Sequence, residues 1–267
     1  MKESIYSHKK KKNRNKKSRK TNKKSFFSCD DKFDSLLSTI NIMKRQYIFV
    51  LCPPYQGSTI IVNLLNSSKN VSTFLDCKTW AGESQWLYKK HGDKDYKKNR
   101  WDKNYKLDMK IVDKVLNIYL DQEKEIWVEK SPPSICRAKM FQDYFSKLGD
   151  VYFIISIRNP YSTGHYNSDT WIKYALYQKY NIENLNNTIC ISYEECCTDL
   201  DTVISKITNK IPGIGKIFNN DNPKMNNERG SMIHTNKVNR VIDKASKTEI
   251  LKSNVDLVEY FGYSIIE

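Results

Sequence analysis

The chain has 267 residues, with 45 Lys and Arg against 30 Asp and Glu, a formal net charge of +15, and 39% hydrophobic and 12% aromatic residues. That length suits one large domain or two small ones with a real core, and the apolar content excludes a chain disordered throughout. No stretch approaches the ~18 to 20 apolar residues of a membrane span, and no apolar segment follows the basic start as in a signal peptide. A soluble intracellular protein is expected, cytoplasmic or, through its basic arm, nuclear.

Residues 1 to 24 hold 10 Lys and 2 Arg against Glu3, so they carry +11 and the other 243 residues only +4. Without apolar periodicity this segment reads as a disordered basic arm. It is either a solvated tail or a polyanion contact, for nucleic acid, an anionic glycan or a lipid surface. The remainder is too mildly basic to suggest a DNA-binding domain. The seven cysteines are odd in number with no CxxC pair, and the four histidines lie far apart. Reduced thiols and no metal site are expected.

In chain order, residues 25 to 45 read as a lead-in segment. Tyr47 to Cys52 (YIFVLC) is a short apolar run, the mark of a strand buried on both faces. Pro53-Pro54 breaks it, Gly57-Ser58-Thr59 follows, and IIVNLL suits a helix starting at the Ser or Thr. Helices are expected near 82–90 and 108–120, a strand at Ile126–Val128, and a helix over 134–147. Val151 to Ile157 is the clearest buried strand. A long helix is expected over 168–180, a strand at 188–192, a helix near 196–208 and a last one over 244–260. Strands alternating with helices predict an α/β fold with a mainly parallel central sheet, as one domain over 46–267.

Two places suit an anion. A strand, tight loop and helix at 53–59 leave free N–H groups at a positive helix end, with Gly57 allowing close approach and Ser58 and Thr59 adding hydroxyls. It is not a Walker A loop, because no Lys precedes Ser58. Arg158 stands at the carboxyl end of strand 151–157, where open α/β sheets bind ligands and where an Arg can hold a phosphate in a bidentate pair. Between these lies IWVEKSPPSICRAKMFQDYFSKLGDVYFIISIRNP at 126–160.

With the upstream loop, this order resembles the sulfotransferases that use 3′-phosphoadenosine-5′-phosphosulfate (PAPS), whose pattern is a Gly-Ser/Thr-Thr loop, an (E)K(S/T)P segment and a strand ending Arg-(Asp/Asn)-Pro. ISYEE at 191–195 and Phe261-Gly262-Tyr263 are similar to two further family segments. The resemblance implies a P-loop-like architecture and sulfuryl transfer from PAPS to a hydroxyl or amine, leaving adenosine 3′,5′-bisphosphate (PAP). It implies that Tyr55, Gln56, Gly57, Ser58, Thr59 and Ile60 cradle the 5′-phosphosulfate. Arg158 would hold the 3′-phosphate and Lys130 would offset charge at the sulfuryl group. The family's Ser about eight residues past the Arg is here Tyr166, with Ser162 and Ser168 nearby. The cation usual two residues before the Gly is here Tyr55; Lys130 or a residue of a later loop (Lys224, Arg229 or Lys237) would compensate.

The acceptor needs a base, and Glu83 in AGESQWL is the first candidate, with Glu129 of the EKSP segment second. Glu129 could instead pair with Lys130 or Arg137. Glu194 is expected to tie a strand end to a neighbouring loop, and Trp80, Trp86, Trp101 and Trp171 to form core or cleft wall. The acceptor class stays open between a glycan, a peptide tyrosine and a small alcohol. Two other functions are compatible with the residues: a degenerate fold kept for binding, and a P-loop kinase-like enzyme, which would want Mg²⁺ and the missing loop Lys.

Overall fold

The strand Gln46–Leu51 (β1) shows why its sequence is apolar without a break. Ile48 and Val50, with Cys52 just past its end, face one hydrophobic cluster, and Tyr47, Phe49 and Leu51 face another, all buried. Only an interior strand covered on both faces does this. The computed structural model describes residues 44–77, 79–164, 167–218 and 241–267, which belong to one compact unit, Met43–Glu267. The basic arm, most of the lead-in segment, His165, Tyr166, Lys224, Arg229, Lys237 and the side chain of Trp80 lie outside the described residues.

Four strands join β1: Val71–Ser72 (β2), Ile126–Glu129 (β3), Asp150–Ile157 (β4) and Thr188–Ser192 (β5). The sheet is parallel throughout, in the order β2-β3-β1-β4-β5. The chain leaves β1 to one side for β2 and later crosses it to reach β4. The carboxyl ends around β1 are therefore the switch point where such sheets open a ligand crevice.

The helices are Ser58–Asn66 (α1), Gln85–Tyr88 (α2), Tyr96–Asn99 (α3), Met109–Tyr119 (α4), Ala138–Phe145 (α5), Ser168–Asn184 (α6), Tyr193–Thr198 (α7), Leu200–Lys210 (α8), Lys244–Lys252 (α9) and Val255–Tyr260 (α10). Residues of α1, α7 and α8 share the cluster of Ile48 and Val50, while α4 and α5 supply Val112, Val115, Phe141 and Phe145 to the other. A third cluster joins Ile157, Tyr161 and Trp171 to Leu251, Leu257 and Val258, fastening the C-terminal helices onto the end of β4.

Four expected helices come out differently. The one near 196–208 is two, because Asp199 leaves helical geometry (φ −146°, ψ 66°) to cap the second with its carboxylate on the Thr202 N–H. The one over 244–260 breaks at Asn254 (φ −134°). Pro132-Pro133 turns the start of 134–147 into a 3₁₀ segment, Pro132–Cys136, and Arg137 (φ −145°) separates it from α5. Of 82–90 only Gln85–Tyr88 is α-helical, since Ala81 and Gly82 take positive φ just before it.

Candidate active site

The loop after β1 turns through two left-handed residues, Tyr55 (φ 61°) and Gly57 (φ 95°). A Cβ on Gly57 would collide with the ring of Tyr193, so glycine is required by backbone and neighbour alike. No side chain caps α1 and no acidic residue stands in its first turn, which leaves the positive helix end open to an anion. The Ile60 N–H is taken by the Gly57 carbonyl at 3.0 Å. Gln56 is buried, and its Oε1 accepts the Arg158 N–H at 3.1 Å, joining this loop to the end of β4. Tyr55 is exposed.

Arg158 is buried as the chain leaves β4. Its Nε donates to Ser162 Oγ (2.9 Å), and its guanidinium lies 4.0 Å from the centroid of the Tyr193 ring. Arg158 and Gly57 thus pack on one aromatic side chain, at the end of β5. Burial pushes the Tyr193 hydroxyl up to about 12. Glu194 accepts the Asn159 N–H (3.1 Å) and the Tyr263 hydroxyl (2.9 Å), so it ties the end of β5 to the turn after β4 and to the Phe-Gly-Tyr segment. Ser162 and Ser168, the two candidate serines, differ in their contacts. Ser162 is used by Arg158, whereas the Ser168 hydroxyl is buried and has no hydrogen-bond partner. Lys247 of α9, also buried, donates to the carbonyls of Pro160 (2.8 Å) and Thr163 (2.5 Å) and so clamps the turn that carries Ser162. Burial lowers its pKa.

Lys130 follows β3 and is buried. Its ammonium donates to the Ala81 carbonyl at 2.8 Å and pairs with Glu83 Oε1 at 3.2 Å. Glu83 Oε2 accepts from Gln85 Nε2 and from the Trp86 indole N–H (3.2 Å). Burial pushes the Cys52 thiol up to about 12, against the opposing pull of Lys130 and of the Ser58 N–H. Glu129, the residue before Lys130, is in register with Phe49 of β1, so Lys130 leaves the sheet next to the end of β1 from which the anion loop departs.

Glu129 pairs with neither Lys130 nor Arg137. It sits in a buried cage of hydroxyls, from Ser84 (2.6 Å), Ser134 (3.3 Å) and Tyr88 (3.5 Å). Burial raises its pKa. Ser131 Oγ accepts the Gln85 N–H (3.0 Å), so this cage holds the Glu83–Gln85 turn from behind. Of the tryptophans, Trp171 is core and donates its indole N–H to the Arg158 carbonyl (2.8 Å), Trp101 packs on Tyr174, and Trp86 is partly exposed beside Glu83. Sequence reasoning did not single out Tyr193 or Lys247. An aromatic directly after a strand was the available signal for Tyr193; Lys247, one of many lysines, carries none.

What converges on the carboxyl ends of β1, β3, β4 and β5 is an uncapped helix start, a buried ammonium paired with a carboxylate, and a buried guanidinium. Among the described residues no three His, Cys, Asp or Glu side chains group as metal ligands, and no helix is long and apolar enough to cross a membrane. No protein-family model and no curated protein matches the sequence. Among solved structures, the sulfotransferase domain of the curacin biosynthetic pathway aligns with 83% of this chain and 99% of its own, at 15% identity and a TM-score of 0.50. The sulfotransferase domain of the Synechococcus PCC 7002 olefin synthase aligns with 83% of this chain and 96% of its own, at 15% identity and a TM-score of 0.47. A retinol dehydratase in complex with androsterone and the inactive cofactor PAP covers 83% of this chain and 82% of its own, at 13% identity and a TM-score of 0.38. The likeness to the curacin-pathway domain is one of architecture: this chain has the sulfotransferase fold.

Proposed function

We propose that the protein transfers a sulfuryl group from PAPS to an acceptor hydroxyl or amine. The observation that carries this reading is the meeting of the α1 start, Lys130 and Arg158 at one sheet switch point. Three cationic or dipolar groups there suit a ligand with two separated anionic ends. Gly57, Ser58 and Thr59 would take the 5′-phosphosulfate. Arg158, with the partnerless hydroxyl of Ser168, would take the 3′-phosphate.

The donor, when bound, supplies the sulfuryl group, with PAP as its leaving group. Transfer through a loose transition state depends on positioning and on charge placed where it develops. Lys130 serves the second need, since it is buried and follows the strand next to β1. Glu83 takes the acceptor proton as the new sulfur–oxygen (or sulfur–nitrogen) bond forms. Its contacts with Lys130, Gln85 and Trp86 fix the direction of the carboxylate. Glu129, walled in by hydroxyls, supports the turn that carries Glu83.

Thermal stabilisation of the purified protein by PAP, with 5′-AMP and ATP–Mg²⁺ as controls, tests the reading. A ligand at ~100 times its Kd adds ~2.7 kcal/mol, and stabilisation by PAP alone is the expected outcome. A response to ATP–Mg²⁺ alone would replace the reading with a nucleotide kinase. No response to any of the three would favour a binding protein without transfer, a second reading that Tyr55 supports by standing where the loop cation is expected.

A further inference from the structure

The charge of this molecule is concentrated in two places. Beyond the basic arm, residues 89–110 hold eight lysines and Arg100 against Asp93, Asp95, Asp102 and Asp108, a net of +5 in 22 residues. Everything outside the arm and this segment sums to −1.

Of the four aspartates in the segment Asp93 is buried, against the Tyr105 hydroxyl, while Asp95, Asp102 and Asp108 are exposed, the last two accepting the Asn104 N–H (2.9 Å) and the Lys110 N–H (2.9 Å). All eight lysines are exposed, and none pairs with a carboxylate among the described residues. The backbone that presents them is pinned from below. Tyr96 stacks edge-on against Tyr88 at 4.9 Å, and Arg137 both lies over Tyr96 (5.7 Å) and donates to the Asp102 carbonyl (3.0 Å).

A closed ring of contacts joins this face to the proposed base. Arg100 donates to Gln85 Oε1 (3.3 Å) and lies over the Trp86 ring (5.1 Å), while Gln85 and Trp86 both donate to Glu83. Arg100, within the basic segment, is thus one residue removed from the carboxylate.

We infer that the acceptor is an anionic polysaccharide laid across residues 89–110, with one hydroxyl delivered to Glu83; this rests on the sulfuryl-transfer reading above. Eight ammonium groups with a single guanidinium are point charges without a fixed bidentate geometry, which suits repeated anionic groups along a flexible polymer. The surface lacks what captures a peptide. On the β3 side of the sheet the edge strand is two buried residues, too short to take an added strand. Among the described side chains of 79–110, Trp86 is the one large hydrophobic group that is exposed, so there is no apolar groove either. Trp86, with Arg100 over its ring, sets an exposed indole edge beside the charge.

The test uses full-length protein throughout, so the basic arm is constant. Labelled sulfate transfer from PAPS is measured to chondroitin, to dextran as a neutral polymer, and to an acidic tyrosine-containing peptide, with single-stranded RNA as competitor. The variant replaces Lys94, Lys97, Lys98 and Lys103 by Glu. For the wild type, transfer to chondroitin and not to dextran is expected, with KM rising as salt increases from about 50 to about 200 mM. In the variant, KM for chondroitin rises at least tenfold while kcat and the stabilisation by PAP stay as in the wild type. Intact PAP stabilisation with no transfer to chondroitin, with equal transfer to dextran, with preference for the peptide, or with an unchanged KM in the variant overturns the acceptor assignment alone. So does RNA competing while the variant still uses chondroitin normally. Absence of PAP stabilisation in the wild type removes the donor reading and the acceptor with it.

Discussion

Around Arg158 the chain is tied down by strand ends and long helices from four directions at once, whereas around Glu83 it is held by a buried knot of hydroxyls and by Lys130. On the Arg158 side, Gln56 from the loop after β1, Tyr193 and Glu194 after β5, Lys247 from α9 and Trp171 from α6 all touch the residues that follow β4. On the Glu83 side the polypeptide runs through 3₁₀ turns and two four-residue helices, and the turn is fixed by Ser84, Ser131 and Glu129 beneath it. The contrast matches the two tasks of the proposed transferase. A donor of constant shape suits a rigid seat made of strand ends. An acceptor is met by a surface of short turns whose lysine side chains stay in water.

Four substitutions break or sharpen this contrast. Glu83→Gln should lower kcat about 10²- to 10⁴-fold, the range for loss of a general base, with PAP stabilisation intact; an unchanged kcat would move the base elsewhere. Arg158→Ala should raise the Kd for PAP about 100-fold, as expected for a charge-assisted pair, and bring it level with 5′-AMP in calorimetric titration. Gly57→Ala forces a side chain into positive φ and into the Tyr193 ring, so chemical denaturation should show a loss of about 1–3 kcal/mol. The smallest effect belongs to Glu129→Gln. Burial raises the Glu129 pKa above its ordinary 4.5, so the folded state holds this proton to higher pH than the unfolded chain does. Its contribution is then complete below the ordinary value and is lost as pH rises through the raised one. The Tm of the glutamine variant relative to wild type should therefore climb from about pH 4.5 upward. A flat difference would mean that the hydroxyl cage fully compensates the charge.

Sequence reading reaches the two sides unequally. The anion-binding groups are legible because they follow apolar runs: Gly57-Ser58-Thr59 starts five residues after YIFVLC, and Lys130 and Arg158 come directly after IWVE and VYFIISI. Burial on both faces writes those strands into composition, and the parallel sheet then brings their ends together. The Glu83 side has no element long enough to show a period, so the two-residue β2 and the helices at Tyr96 and Gln85 leave no trace of their ends. Glu83 could be named from its place after the loop, but its pairing with Lys130 depends on the left-handed turn at Ala81–Gly82. Nothing local marks that turn except a glycine. The interrupted helices at Asp199 and Asn254 fail for a related reason: polar residues that cap a following helix also fit inside a continuous one.

The position of β1 has a consequence for how the protein comes off the ribosome. It lies between β3 and β4, both of which are translated much later, and it pairs with nothing nearer in sequence. When Tyr47–Cys52 emerges, both of its edges are bare and both of its faces are greasy. It stays so until Ile126–Glu129 and Asp150–Ile157 are made. A nascent chain of this kind depends on holding its first strand out of trouble, and residues 89–110, crowded with lysines and without an apolar run, are well suited to keep it in solution meanwhile.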